Sequence, residues 1–248
     1  MREISPRAWW NMPGSKLLLI LLVICGCTFA QQITVTGHIE LQGGRRGKIP
    51  DASNVVVWLT PIGGTGSAAA PDRFPDRPRL TQKNKSFEPH VLVIPVGSSV
   101  EFPNRDPFFH NVFSLFEGKR FDPGLYEAGT TRDVHFDKPG ISYIFCNIHP
   151  QMSAVVIALD TPYYAVSTRG GELTIPNVPA GRYVLRVWSE ASLPGTLKNL
   201  TREIAVGEGA ASLGVLSVVA TPSPAAHKNK YGRDYDRPAP ASGIYDQP

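Results

Sequence analysis

The chain has 248 residues, with 25 Lys and Arg against 21 Asp and Glu and a formal charge of +4. Apolar residues make up 42% and charged residues 19%, the balance of a globular protein with one large or two small cores. Residues 1–30 hold three basic side chains and one acidic, so the remainder carries 25 − 3 = 22 basic against 21 − 1 = 20 acidic, or +2. No basic stripe is left that would suit nucleic acid. Gly and Pro stand at 23 each, and with many β-branched runs they indicate an all-β chain rich in turns.

Residues 1–30 read as a secretory signal peptide. Arg2, Arg7 and Lys16 supply a positive start, residues 17–25 an apolar stretch, and Thr28-Phe29-Ala30 a cleavage site. The apolar stretch is too short for a spanning helix, so no membrane span is expected after cleavage. Ile24-Cys25-Gly26-Cys27 also fits a lipoprotein cleavage box. The expectation is therefore a periplasmic or secreted protein, with lipid anchorage at Cys27 as the alternative.

Residues 33–41 alternate apolar and polar side chains and predict a strand. Residues 54–60, Asn-Val-Val-Val-Trp-Leu-Thr, predict a second and more buried one. Residues 61–79, rich in Gly, Ala and Pro, read as a loop. From Phe87 onward come short strands at 91–96, 99–102, 110–115, 131–136, 141–145 and 154–159. Turn signals separate them, such as Asp122-Pro123-Gly124 and Lys138-Pro139-Gly140, as in a β-sandwich. Further strands are expected at 163–168, 171–175, 182–188, 200–206 and 212–219. No helix is expected beyond the signal segment. From Thr221 the chain is rich in Pro, Ala and charge and poor in aliphatic residues, which predicts a disordered tail. The Lys228–Arg233 run there could touch an acidic surface, but a solvated tail is the preferred reading.

Cys25 and Cys27 fall in the signal segment, which leaves Cys146 alone in an exported chain. A lone thiol there has no internal disulfide partner and is open to oxidation. It is either a buried inert residue or a metal ligand, and its neighbours favour the latter. Cys146-Asn147-Ile148-His149-Pro150-Gln151-Met152 is a C-x2-H-x2-M run on a loop between two expected strands. His110 opens another strand 149 − 110 = 39 positions before His149. With 6 His and 3 Met in the chain, His at +3 and Met at +6 from a given Cys have a chance of about 3 in 10,000. Two His, one Cys and a weak thioether suit copper in electron transfer. Zinc also takes Cys and His, but the soft Met152 argues against it.

Residues 87–159 resemble a cupredoxin of the plastocyanin and amicyanin type. The resemblance lies in Phe87-Glu88-Pro89, in the Val96–Phe102 stretch with Asn104 and Asp106, in His110-Asn111-Val112, and in Pro139-Gly140 ahead of Tyr143-Ile144-Phe145-Cys146. It implies one type 1 copper ion, with His110, Cys146 and His149 as equatorial ligands and Met152 as the axial one. It further implies that Asn111 ties the His110 strand to the Cys loop and hydrogen-bonds near the thiolate. His149 would be the electron port near the surface. Phe108, Phe109 and Pro150 would frame it, although core packing accounts equally well for the two Phe residues. The four remaining histidines, His38, His90, His135 and His227, are too few for a multicopper oxidase and read as solvated or structural. A single Cys in the loop excludes a dinuclear copper centre, and no nucleophile-elbow motif suggests a hydrolase.

The stretch 171–188, containing Pro176-Asn177-Val178-Pro179-Ala180-Gly181-Arg182-Tyr183, resembles a carboxypeptidase regulatory-like module, a small transthyretin-like β-sandwich. Two strands that precede this segment in that family match residues 33–41 and 54–60. The expected domains are therefore 31–62 plus 161–220 as a discontinuous sandwich, 80–160 as the cupredoxin inserted in it, and 221–248 as the tail. A separate N-terminal extension of the cupredoxin is the alternative to insertion. The combination is similar to bacterial exported proteins of the methylamine-utilisation or plastocyanin-like kind. The function implied is single-electron transport, without enzymatic activity, between redox partners such as a cytochrome or dehydrogenase. Two further readings stay open: a module binding cell-envelope glycan or protein with structural copper, and copper sequestration or delivery.

Overall fold

In the computed structural model, the described residues are 32–43, 51–63, 77–115, 117–207, 211–221 and 227–235. The signal peptide and the Cys27 lipidation site lie outside them, as do most of the 61–79 loop and residues 222–226 and 236–248.

In chain order the strands are β1 (Gln32–Gln42), β2 (Val56–Pro61), β3 (Thr81–Lys83), β4 (Ser86–Glu88), β5 (Val91–Pro95), β6 (Ser98–Pro103), β7 (Val112–Phe113), β8 (Thr131–Phe136), β9 (Gly140–Cys146), β10 (Ser153–Leu159), β11 (Tyr164–Val166), β12 (Glu172–Pro179) and β13 (Gly181–Trp188). A single helical turn, α1 (Pro194–Lys198), precedes β14 (Arg202–Val206) and β15 (Ser212–Val219). The described chain is thus all-β apart from this one turn.

The sheets explain the sequence texture. One sheet runs β5-β10-β9-β7. In β10, Ala154, Val156 and Ala158 enter one core with Ile94, Phe102, Phe136 and Cys146. Val155, Ile157 and Leu159 enter a second core with Val56, Val57 and Leu59 of β2. A strand covered on both faces reads as an unbroken apolar run, and both β10 and β2 do. The second core continues between two further sheets, β12-β1-β15 and β11-β2-β13-β14. In β1 only alternate residues such as Val35 and Ile39 are buried, as the period-two pattern requires.

Chain connectivity spans the segment between residues 62 and 163. β1 lies between β12 and β15, and β2 between β11 and β13, so strands before residue 62 pair with strands after residue 163. At the β11–β12 turn Gly171 has φ +89, and a Cβ there would lie 2.2 Å from the Ile39 carbonyl oxygen. Only glycine permits that approach and the 2.7 Å bond from Ile39 N–H to the Gly171 carbonyl.

Three sequence expectations are corrected. The β3–β4 hairpin was not foreseen, because its turn is Asn84-Lys85 in place of the usual Asn-Gly. Both residues take positive φ, 53° and 54°, the signature of a I′ turn. Helix α1 is one turn long and leaves no periodicity to read. The strand expected over 110–115 shrinks to Val112–Phe113, with His110 and Ser114 held by isolated bridges to Tyr126 and Phe121.

Within the tail expected to be disordered from Thr221, the described residues 227–235 lie against the Cys146 loop. The His227 ring stacks on Phe145 with centroids 4.1 Å apart, and the Tyr235 hydroxyl donates to the Cys146 carbonyl at 2.7 Å. Composition alone undervalues such a segment, because two aromatic rings and one Lys reaching a carboxylate supply the contacts that aliphatic residues lack.

Candidate metal centre

Cys146 ends β9, and His149 and Met152 follow on the loop that leads into β10. That loop is closed by hydrogen bonds from Met152 N–H to the His149 carbonyl at 3.0 Å and from Cys146 N–H to the Met152 carbonyl at 3.3 Å. His110 comes from the segment before β7, held by reciprocal backbone bonds with Tyr126 at 3.0 and 3.1 Å. β7 pairs with the end of β9, Val112 opposite Cys146, which brings His110 to the loop.

The ligand atoms of His110, Cys146 and His149 all lie within 4.8 Å of one another, and among the described residues this is the only such group. Both imidazoles present Nδ1 to the sulfur, at 3.5 Å for His110 and 3.6 Å for His149. His110, Cys146 and Met152 are fully buried, and His149 keeps 8% exposure. Met152 shares the buried cluster of Cys146. The other described histidines are outside this group: His38 lies on β1, His90 contacts Ser153 and Glu190, His135 contacts Ser99, and His227 stacks on Phe145.

One partner of His110 was missed in the sequence reading. Its Nε2 lies 2.9 Å from the Asp106 carboxylate, itself buried. A proton held on Nε2 by that carboxylate leaves the Nδ1 lone pair free for a metal. Asp106 also accepts the backbone N–H groups of Asn84 and Lys85 at 2.5 and 3.0 Å. The spacing Asp106-x3-His110 was the available signal, but a carboxylate in a turn-rich stretch carries little weight without the fold.

The role inherited for Asn111 is also revised. Its side chain turns away to Asp122 Oδ1 at 2.7 Å and the Gly124 carbonyl at 3.1 Å. Its backbone does the tying: the carbonyl accepts Asn147 N–H at 2.8 Å, and its N–H points at the sulfur.

Electrostatics follow from burial. Burial pushes the Cys146 thiol up, while backbone N–H groups of Asn111, Ile148 and His149 pull it the other way. Burial lowers His110 against the upward pull of Asp106. Burial, aided by the charges of His110 and Lys85, pushes His149 down to about 4. Both imidazoles are therefore neutral near pH 7, as a metal ligand must be. Phe108 packs on both rings, 5.4 Å from His110 and 5.3 Å from His149, so it belongs to the wall of the site. Phe109, Leu125 and Ile148 are exposed apolar residues, and Pro150 is exposed beside His149.

The donor set fits copper: two neutral imidazoles, a sulfur inside a ring of backbone N–H groups, and a buried thioether nearby. No family model matches the chain, and no curated protein matches it. Three solved structures illustrate what it is similar to. A novel purple cupredoxin from Nitrosopumilus maritimus is 23% identical over 33% of this chain and 99% of its own, with a TM-score of 0.30. A copper(I) form of an amicyanin mutant is 19% identical over 34% of this chain and 82% of its own, with a TM-score of 0.32. A copper-containing nitrite reductase from Thermus scotoductus SA-01 is 26% identical over 41% of this chain, with a TM-score of 0.33, and only 26% of the reductase is spanned.

Proposed function

We propose that the protein binds one copper ion through His110, Cys146 and His149, with Met152 as a weaker fourth ligand, and carries single electrons between partner proteins without catalysing a reaction of its own. The observation that carries this reading is the convergence of two Nδ1 atoms and one buried sulfur within 4.8 Å, with the far nitrogen of His110 tied to Asp106. Copper would supply a one-electron couple there. The chain's part is to hold soft and neutral ligands in a dry, rigid setting. His149, the imidazole with residual exposure, is the point nearest to a partner, and the apolar residues Phe109, Leu125 and Ile148 suit a transient protein contact. A cytochrome or a dehydrogenase is the partner class proposed. An exported location agrees with a lone thiol protected by a metal, and no described helix is long and apolar enough to cross a membrane.

Copper titration of the purified chain tests the reading. One equivalent should bind and generate an intense thiolate-to-copper absorption, and Cys146→Ser should abolish it. A colourless complex, or equal copper binding by Cys146→Ser, would refute it.

A second reading rests on a groove of about 400 Å³ lined by Trp58, Thr60, Glu117, Asp160 and Arg186, where the sheet of β2 and β13 meets β9 and β10. An aromatic face beside charged groups suits a cell-envelope glycan. In this reading the strands of 31–62 and 161–220 form a discontinuous binding module around the cupredoxin. Glycan binding that survives Cys146→Ser and is lost in Trp58→Ala would support it.

A further inference from the structure

The described C-terminal segment makes contacts that neither module requires. Asn229 organises it: its side-chain oxygen accepts the N–H groups of Tyr231 and Arg233 at 3.0 and 3.1 Å, and a Lys228–Asp234 ion pair at 2.6 Å closes the turn. From this self-supported turn, three side chains and one backbone group reach the Cys146–Asn147 backbone and side chain, the adjacent Phe145, and Asp122. Lys230 N–H donates to Asn147 Oδ1 at 3.0 Å, and Lys230 Nζ pairs with Asp122 at 2.8 Å, largely shielded from solvent. Tyr235 O–H donates to the Cys146 carbonyl at 2.7 Å and contacts His227 Nδ1 at 3.3 Å. His227 stacks on Phe145.

These contacts converge on the neighbours of two ligands. Asn147 follows Cys146, and it is held from both ends: its N–H by the Asn111 carbonyl and its side chain by Lys230. Asp122 joins Lys230 to the Asn111 side chain, and Asn111 follows His110. The turn therefore bridges the two chain segments whose separation sets the size of the site.

We propose that His227–Tyr235 is a strap belonging to the metal centre, with Lys230 and Tyr235 as positioning residues that hold the Cys146–Asn147 backbone, shield Cys146 from reagents and slow metal release. Only the last effect rests on the copper reading. A strap of this kind favours retention of the ion over delivery, because the loop cannot open until the strap lifts.

The test uses the full chain and three variants. Tyr235→Phe removes the hydroxyl and keeps the ring. Asn147→Ala removes the acceptor for Lys230, and Asn147→Asp restores one. In metal-free protein, hydrogen exchange reads the Lys230 amide, and alkylation by iodoacetamide is read at the peptide carrying Cys146. In protein loaded with copper(I), release to a chelator is timed. The Lys230 amide should be protected. Tyr235→Phe and Asn147→Ala should each speed alkylation and release by about fivefold, the scale of one ordinary hydrogen bond, with the thermal midpoint lowered by only about 2–4 °C. Asn147→Asp should return to wild-type rates. A Lys230 amide that exchanges as in a free peptide, or alkylation at wild-type rate in both Tyr235→Phe and Asn147→Ala, overturns the strap. If the wild type takes up no copper, the copper reading fails, while exchange and alkylation still decide the strap.

Discussion

Asp106 Oδ2 lies 2.9 Å from His110 Nε2, and the same carboxylate closes the Asn84-Lys85 turn through two backbone N–H groups. A hairpin outside the Cys146–Met152 loop is thereby coupled to the orientation of the His110 imidazole. Asp106→Asn should lower copper affinity about 10- to 100-fold, the usual scale for losing an outer partner of a ligating His. It should also destabilise the metal-free protein by about 1–3 kcal/mol, since the turn loses its charged acceptor. Isothermal titration and urea unfolding measure the two effects.

His149 sets a pH dependence of the metal-free protein. Its folded pKa of about 4 lies below its ordinary 6.5, so between these values the unfolded chain binds the proton and the folded chain does not. Stability is full above 6.5 and falls as pH drops through this window, by up to about 3 kcal/mol. His149→Gln should flatten that part of the curve in urea titrations from about pH 7 to pH 4.

His90 acts in the opposite sense. Its hydrogen bond to Glu190 at 2.5 Å raises its pKa against the effect of partial burial. The resulting stabilisation is present below the unfolded value and is lost as pH rises through the raised one. Glu190→Gln should thus lower the thermal midpoint at about pH 6 and converge on the wild type at alkaline pH.

β10 is covered on both faces, and Ile157 faces the core shared with β2. Ile157→Ala should destabilise by on the order of 3 kcal/mol, as a buried aliphatic truncation does. Copper absorption should persist in the folded fraction, because Ile157 lies in the core that excludes Cys146. Chemical unfolding with and without copper checks both points.

Much of the architecture was legible in the residues. Alternation in β1, the unbroken apolar runs of β2 and β10, and turn residues between short strands lead directly to an all-β chain. Cys146, His149 and Met152 could be grouped from type and spacing because they share one loop, and the structure brings the His110 and His149 rings to the Cys146 sulfur. Tertiary structure decided the rest. Asp106 became the partner of His110 only once a hairpin with an unusual Asn-Lys turn folded onto it. Asn111 proved to act through its backbone, a group that no side-chain pattern reports. The segment 227–235 looked too polar to order itself. Its stacking on Phe145 and its bonds to Cys146 and Asn147 bridge more than eighty positions of sequence, and contacts of that range exist only after the sheets have closed.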